Sequence, residues 1–146
     1  RQLPDGSPGY ELCVKRVPGG AGSEYLAGLK AGDTFVASAP SGDFTFEPKP
    51  ERSVCFISTG TGVGPFRAMV LSARFEEEER PGEIFSIFGA RNEGEIIYPG
   101  FFESHGIKTV NALSQPSDSW KGFRGRITDF LKSLPARSAL RRYRAR

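Results

Sequence analysis

The sequence predicts an α/β protein: an incomplete parallel, doubly wound sheet of nucleotide-binding type, preceded by a short stretch of antiparallel β material. Three observations predict it. Residues 53–67, SVCFISTGTGVGPFR, read as a buried strand, a glycine-rich turn and the start of a helix. After them, apolar runs of strand length alternate with helical segments, the rhythm of βαβ units. Before residue 48, short alternating segments are separated by Gly- and Pro-rich turns.

The turn carries the chemistry. Glycines at 60, 62 and 64 let a backbone approach a pyrophosphate closely. Amides at the helix start face the anion, and the helix dipole favours its charge. Pro65 suits a first helical turn, where its missing amide costs nothing. The spacing is G-x-G-x-G-P, neither the dinucleotide G-x-G-x-x-G nor a Walker loop, which needs a following Lys-Ser/Thr pair. Taken alone, it can also be read as no more than a tight strand-to-helix connection.

Composition narrows the function classes. The chain has 146 residues, 38% hydrophobic, with 12 Phe, 18 Gly and 11 Pro: one domain, or one and part of another, with many turns. Its net charge of +3 comes from the end, where Arg137, Arg141, Arg142, Arg144 and Arg146 cluster. Without that tail the chain is slightly acidic, and no aromatic-basic interleaving outside it points to nucleic acid. Cys13 and Cys55 both sit in apolar runs, outside any C-x-x-C or His/Cys cluster. They read as reduced thiols in a cytoplasmic protein, with no iron–sulfur or zinc site. No run is long enough to span a membrane.

In chain order, residues 1–9 are turn chemistry. Residues 10–17 alternate as a strand, with Tyr10, Leu12 and Val14 on one face. Ser23 reads as the N-cap of a short helix over 23–29, with Tyr25, Leu26 and Leu29 inward. Residues 31–33 turn the chain, 34–39 form a strand, and 40–43 turn again before 44–46. The prolines and charges of 48–52 make a linker. Beyond it come a strand at 54–58 and a helix over 64–79, its apolar side Phe66, Met69, Val70, Ala73 and Phe75. That helix ends on the acidic run 76–79, and Pro81-Gly82 stops it. Then follow a strand over 83–88, an irregular helix over 98–104, a strand over 107–113 and a helix over 127–134. His105, beside Gly106, reads as a helix cap with no catalytic role.

Four segments in this order resemble the ferredoxin–NADP reductase superfamily of flavoproteins, and they span roughly residues 10–130. Residues 12–16, LCVKR, resemble the barrel strand along the flavin. Gly22-Ser23, with Tyr25-Leu26, resembles the helix start at the FAD pyrophosphate. Residues 60–67, GTGVGPFR, resemble the signature GTGxxPFR, the most specific of the four. Phe88-Gly89-Ala90-Arg91, with Tyr98 beyond, resembles FGxR…Y. The resemblance implies the end of an FAD-binding β-barrel over 1–48, an incomplete NAD(P)-binding α/β domain over 49–134, and a basic, disordered tail over 135–146. It implies a flavin-dependent NAD(P)H oxidoreductase that passes electrons to an acceptor such as ferredoxin, flavodoxin or a heme or oxygenase partner. A dinucleotide-binding module without turnover, or an inactive piece of a reductase, is the alternative.

By the same resemblance, Cys13, Val14, Lys15, Ala21, Gly22 and Ser23 touch FAD, and Thr61 lies beside nicotinamide and flavin. Gly60, Gly62 and Pro65 shape the turn. Ala90 and Arg91 border the adenosine half, Ser114 and Gln115 end the third strand, and Arg126 matches an adenosine-phosphate arginine. The choice between NADP and NAD is divided. No acid ends the second strand, and Arg91 there suits a 2′-phosphate. Yet the superfamily's Ser-Arg pair reads Ser114-Gln115 here, favouring NADH. The reading leans to NADPH. The R-x-Y-S flavin motif and the later Cys-Gly strand are missing, so the chain is expected to be a fragment that holds flavin weakly or not at all. Its first strand is then expected to be an exposed hydrophobic edge.

Overall fold

The computed structural model describes residues 9–38, 41–47, 49–72 and 81–134. The chain forms two compact units, residues 1–46 and 47–146.

The first unit has one regular element among its described residues, helix α1 (Ala21–Gly28). The strands expected over 10–17 and 34–39 are not formed among the described residues, and Ala39 lies outside them. Alternation supplies a strand with a face but not with a partner to hydrogen-bond. Tyr10, Leu12 and Val14 are accordingly exposed. Helix α1 starts two residues earlier than expected. Gly20 is its N-cap and Ser23 sits inside the first turn. The Ser23 hydroxyl accepts from the Val17 amide at 3.0 Å and lies 3.2 Å from the Gly20 carbonyl. It therefore pins the preceding loop to the helix. Leu26 and Leu29 are half-buried, but Tyr25 is exposed. The 31–33 turn forms as expected, closed by the Asp33 carboxylate on the Lys30 amide at 2.7 Å.

The second unit is a four-stranded parallel sheet in the order β1-β2-β3-β4. The strands are β1 (Ser53–Thr59), β2 (Glu83–Ala90), β3 (Lys108–Leu113) and β4 (Phe123–Arg124). Register is continuous from Ser53 opposite Glu83 to Thr59 opposite Gly89, and from Phe85 opposite Lys108 to Ala90 opposite Leu113. The central strand β2 is buried from Ile84 to Gly89, as a strand covered on both faces must be. Among the described residues β1 has β2 as its one sheet neighbour, and Ile57 on it is 44% exposed.

Helices cover both faces. A 3₁₀ turn, Gly60–Gly62, leads from β1 into α2 (Val63–Val70). Val63 and Val70 are buried, and Phe66 stacks on Phe56 of β1 with ring centroids 4.7 Å apart. The rest of the helix expected to 79, with its acidic end, lies largely outside the described residues. Phe88 shares a small pocket with Val63 and Phe102 on this face. Its neighbour Gly89 points to the other face, toward α4 (Ile127–Ser133). A Cβ on Gly89 would stand 2.8 Å from Ile127 Cδ1, so α4 sits this close only over a glycine. The helix expected over 98–104 is a single turn, α3 (Phe101–Ser104). Tyr98 at φ 56° and Gly100 at φ 75° are left-handed, which stops helix earlier in this stretch. His105 closes α3 as its C-cap, with Nδ1 2.8 Å from the Phe101 carbonyl oxygen. The tail from residue 135 lies outside the described residues.

Candidate dinucleotide site

Parallel pairing brings the ends of all four strands to one edge of the sheet. Gly60, Thr61 and Gly62 follow β1, Ala90 ends β2 and Arg91 follows it, Ser114 and Gln115 follow β3, and Arg126 stands two residues past β4. Ligands of such sheets sit outside this carboxyl edge. Two backbone bonds join its middle: the Ser114 amide donates to the Ala90 carbonyl at 3.1 Å, and the Gln115 amide to the Arg91 carbonyl at 2.7 Å. The eight expected residues of this unit thus share one rim, and Pro65 lies one turn behind it in α2.

The turn after β1 combines a left-handed glycine with an open one. Gly60 takes a left-handed φ of 51°, which a side chain would strain. Gly62 differs, with φ −61° and ψ −9°, a helical conformation open to any residue. The atom nearest to a Cβ added there is Ser58 Cβ at 3.9 Å. The chain's own packing therefore gives no reason for glycine at 62, whereas a group resting against the exposed backbone would. The Val63 amide that opens α2 already donates to the Gly60 and Thr61 carbonyls of the 3₁₀ turn, so it is not open to an anion. Pro65, inside that first turn, gives up an amide that the helix does not use. Beneath the turn, Ser58 is buried and its hydroxyl lacks a hydrogen-bond partner.

Several contacts that hold the rim escape a reading of the sequence. Arg67, from the glycine-rich signature, lies over the rings of Tyr98 and Phe101 at 4.7 and 4.9 Å. This cation–π pair ties α2 to the corner before α3 and accounts for both Arg67 and Tyr98 in the motifs. The Arg124 guanidinium donates to the carbonyls of Ser117, Asp118 and Trp120 at 2.8, 3.0 and 3.2 Å, so it shapes the loop after β3. Arg126 is exposed and is the N-cap of α4. Its amide is held by the Asp129 carboxylate at 2.9 Å. Strand β4, which places both arginines, is two residues long and too short to show a period.

Glu93 couples two loops of the rim. Its carboxylate accepts from the Ser117 hydroxyl at 2.5 Å and from the Ser117 amide at 3.1 Å. The Ser117 hydroxyl bond, chiefly, holds the Glu93 carboxyl below its ordinary value of 4.5. A lowered folded-state pKa contributes stability above that ordinary value and loses it as pH falls through the folded one. Acid unfolding followed by circular dichroism should therefore steepen below about pH 4.5, and Glu93→Gln should flatten that part of the curve.

In the first unit, Cys13 is half-buried, and Val14 and Lys15 are exposed outside any regular element. Ala21 and Gly22 are exposed at the start of α1. A cavity of about 340 Å³ lies beside them, with Leu12, Val14, Leu26 and Phe35 in its wall and Ser23 reaching it. A Cβ on Gly22 would meet nothing within 4 Å, so this glycine too is unexplained by the chain's own packing.

Among the described residues, no group of three or more His, Cys, Asp or Glu could hold a metal. Nor is any helix of the described residues long and apolar enough to cross a membrane.

Comparison with known proteins agrees with the fold. The oxidoreductase NAD-binding domain profile matches residues 56–138, and the oxidoreductase FAD-binding domain profile matches residues 2–46. Ferredoxin–NADP reductase B of Sorangium cellulosum (strain So ce56) is 41% identical over 136 residues, covering 90% of this chain and 55% of that protein. NADH-cytochrome b5 reductase 2 of Yarrowia lipolytica (strain CLIB 122 / E 150) is 28% identical over 141 residues, 88% of this chain and 46% of that protein. Among solved structures, the Amycolatopsis cytochrome P450 reductase GcoB aligns with a TM-score of 0.61 at 28% identity, covering 84% of this chain and 39% of that one. The chain spans about half the length of the curated relatives it matches.

Proposed function

We propose, because the chain belongs to the oxidoreductase NAD-binding domain family, that it binds NAD(P)H at the carboxyl edge of its sheet as part of a flavin-dependent reductase. One observation carries the reading: the parallel register gathers Gly60–Gly62, Ala90, Arg91, Ser114, Gln115 and Arg126 on one rim, at a turn with an open glycine. FAD, when bound, supplies the acceptor for the hydride of the reduced nicotinamide. The chain's own part is positioning. The Gly60–Gly62 turn, at the amino-terminal end of α2, takes the pyrophosphate, and Thr61 sets the nicotinamide. Ala90, Arg91, Ser114, Gln115 and Arg126 border the adenosine half. Cys13, Val14, Lys15, Ala21, Gly22 and Ser23 face FAD, and the open Gly22 at the start of α1 fits a phosphate there.

Residues 1–48 are then the end of the FAD-binding domain and 49–134 belong to the NAD(P)-binding one. Electrons pass to a redox protein, and the relatives named for ferredoxin and cytochrome b5 support an acceptor of that kind. The two free cysteines support a cytoplasmic setting. A second reading, a binding module without turnover, is favoured by the absence of any strand among the described residues of the first unit.

Titration of the chain with NADPH and NADH, with and without added FAD, separates the two. Binding heat for the dinucleotide, and bleaching of flavin absorbance when FAD is present, are expected of a reductase. Binding without bleaching favours the module. Absence of dinucleotide binding overturns the proposal.

A further inference from the structure

Between β3 and β4 the chain crosses the rim as an irregular loop, residues 114–122. Ser114, Gln115, Ser117, Asp118 and Ser119 on it are all exposed. Fixing the backbone of each such residue costs about 1–2 kcal/mol. Two residues from other elements, of opposite charge, meet that cost at one point, Ser117. Glu93, in the turn after β2, accepts from the Ser117 amide at 3.1 Å and from its hydroxyl at 2.5 Å. Arg124, in β4, donates through one nitrogen to the Ser117 carbonyl at 2.8 Å, and to the carbonyls of Asp118 and Trp120. The amide, hydroxyl and carbonyl of Ser117 are thus all engaged from outside the loop. Its far end is closed by the Trp120 indole, which donates to the Phe123 carbonyl at 3.2 Å and lies where a Cβ on Gly122 would collide with it.

We infer that Glu93 and Arg124 are positioning residues for the dinucleotide, acting through Ser117 to hold the loop that begins with Ser114 and Gln115 in its binding shape. The inference rests on the dinucleotide reading above. A loop ordered beforehand does not have to be ordered by the ligand, and the saving appears as affinity. The charges make the role testable. A carboxylate on a rim that takes an anion repels it. On charge alone, losing Glu93 tightens dinucleotide binding and losing Arg124 weakens it. As two halves of one brace, both losses weaken it.

The test is calorimetric titration of wild type, Glu93→Ala, Arg124→Ala and the double variant with NADH and with NADPH, at a temperature where circular dichroism shows each fully folded. Each single variant should bind the preferred nucleotide about fivefold more weakly, the scale of immobilising one more side chain on binding. The double variant should lose little more than the weaker single one, because both act through the same residue. Should either variant fail to fold, Ser117→Ala, which removes only the hydroxyl bond and no charge, should weaken binding in the same direction. Wild-type or tighter binding by folded Glu93→Ala, or by Ser117→Ala in its place, overturns the inference while the dinucleotide reading stands. Binding of neither nucleotide to wild type overturns both.

Discussion

Gly62→Ala should leave the fold within about 1 kcal/mol of its present stability while weakening dinucleotide binding about 10- to 150-fold. The two halves of this result have separate causes. At φ −61° and ψ −9°, Gly62 already has a backbone that alanine adopts without strain. The added methyl approaches only Ser58 Cβ, at an ordinary 3.9 Å. Fixing the unfolded chain with an alanine is, if anything, mildly stabilising. A phosphate lying on the Gly60–Gly62 turn, however, loses its close approach to the backbone amides. A hydrogen bond to a charged group contributes about 1.5–3 kcal/mol, which corresponds to the stated loss of affinity. Thermal unfolding and calorimetric titration of the same preparation read both halves. Undiminished binding in the alanine variant would remove the phosphate from this turn.

Leu113→Ala should have the largest effect on stability. Leu113 is the last residue of β3 and is 0% exposed. Truncating such a side chain forfeits its transfer energy and leaves a cavity, together about 2–5 kcal/mol. A domain of this size holds about 5–15 kcal/mol in all. The same residue's carbonyl accepts from the Gly125 amide at 2.7 Å, so loosening it also loosens the junction that carries Arg126. Urea unfolding should show a lower midpoint with an unchanged slope. Ile57→Ala is the control: at 44% exposure that side chain has less to lose, and its shift should be clearly smaller. Equal shifts for the two variants would contradict the burial on which the sheet's core is built.

The second unit was legible where its physics is local or repetitive. Apolar runs such as 84–88 are long enough to show a strand buried on both faces, and β1, β2 and β3 lie where those runs predict. The glycine turn declares itself through residues whose only virtue is backbone access. Elements set by distant partners were not legible. Strand β4 is two residues that pair because β3 already offers an edge. Residues 10–17 alternate like a strand, yet no ladder forms among the described residues. Ser23 has the chemistry of an N-cap, but the loop's tighter bond to its hydroxyl moves the helix start to Gly20. The acid that braces Ser117 was invisible because it lies 24 residues away in sequence, in a different loop. Arg67 and Tyr98 were legible as motif letters; their stacking required the fold.

Backbone amides of the Gly60–Gly62 turn are expected to grip the paired phosphates of a dinucleotide, the Val63 amide being already bonded to the Gly60 and Thr61 carbonyls. Amide chemical shifts of the isotopically labelled chain, followed by nuclear magnetic resonance during titration with NADH, address it residue by residue. The largest displacements are expected at Gly60, Thr61 and Gly62, with a second group at Arg91 and Gln115. Displacements confined to the amino-terminal ends of the strands, around Ser53, Glu83 and Lys108, would contradict the claim.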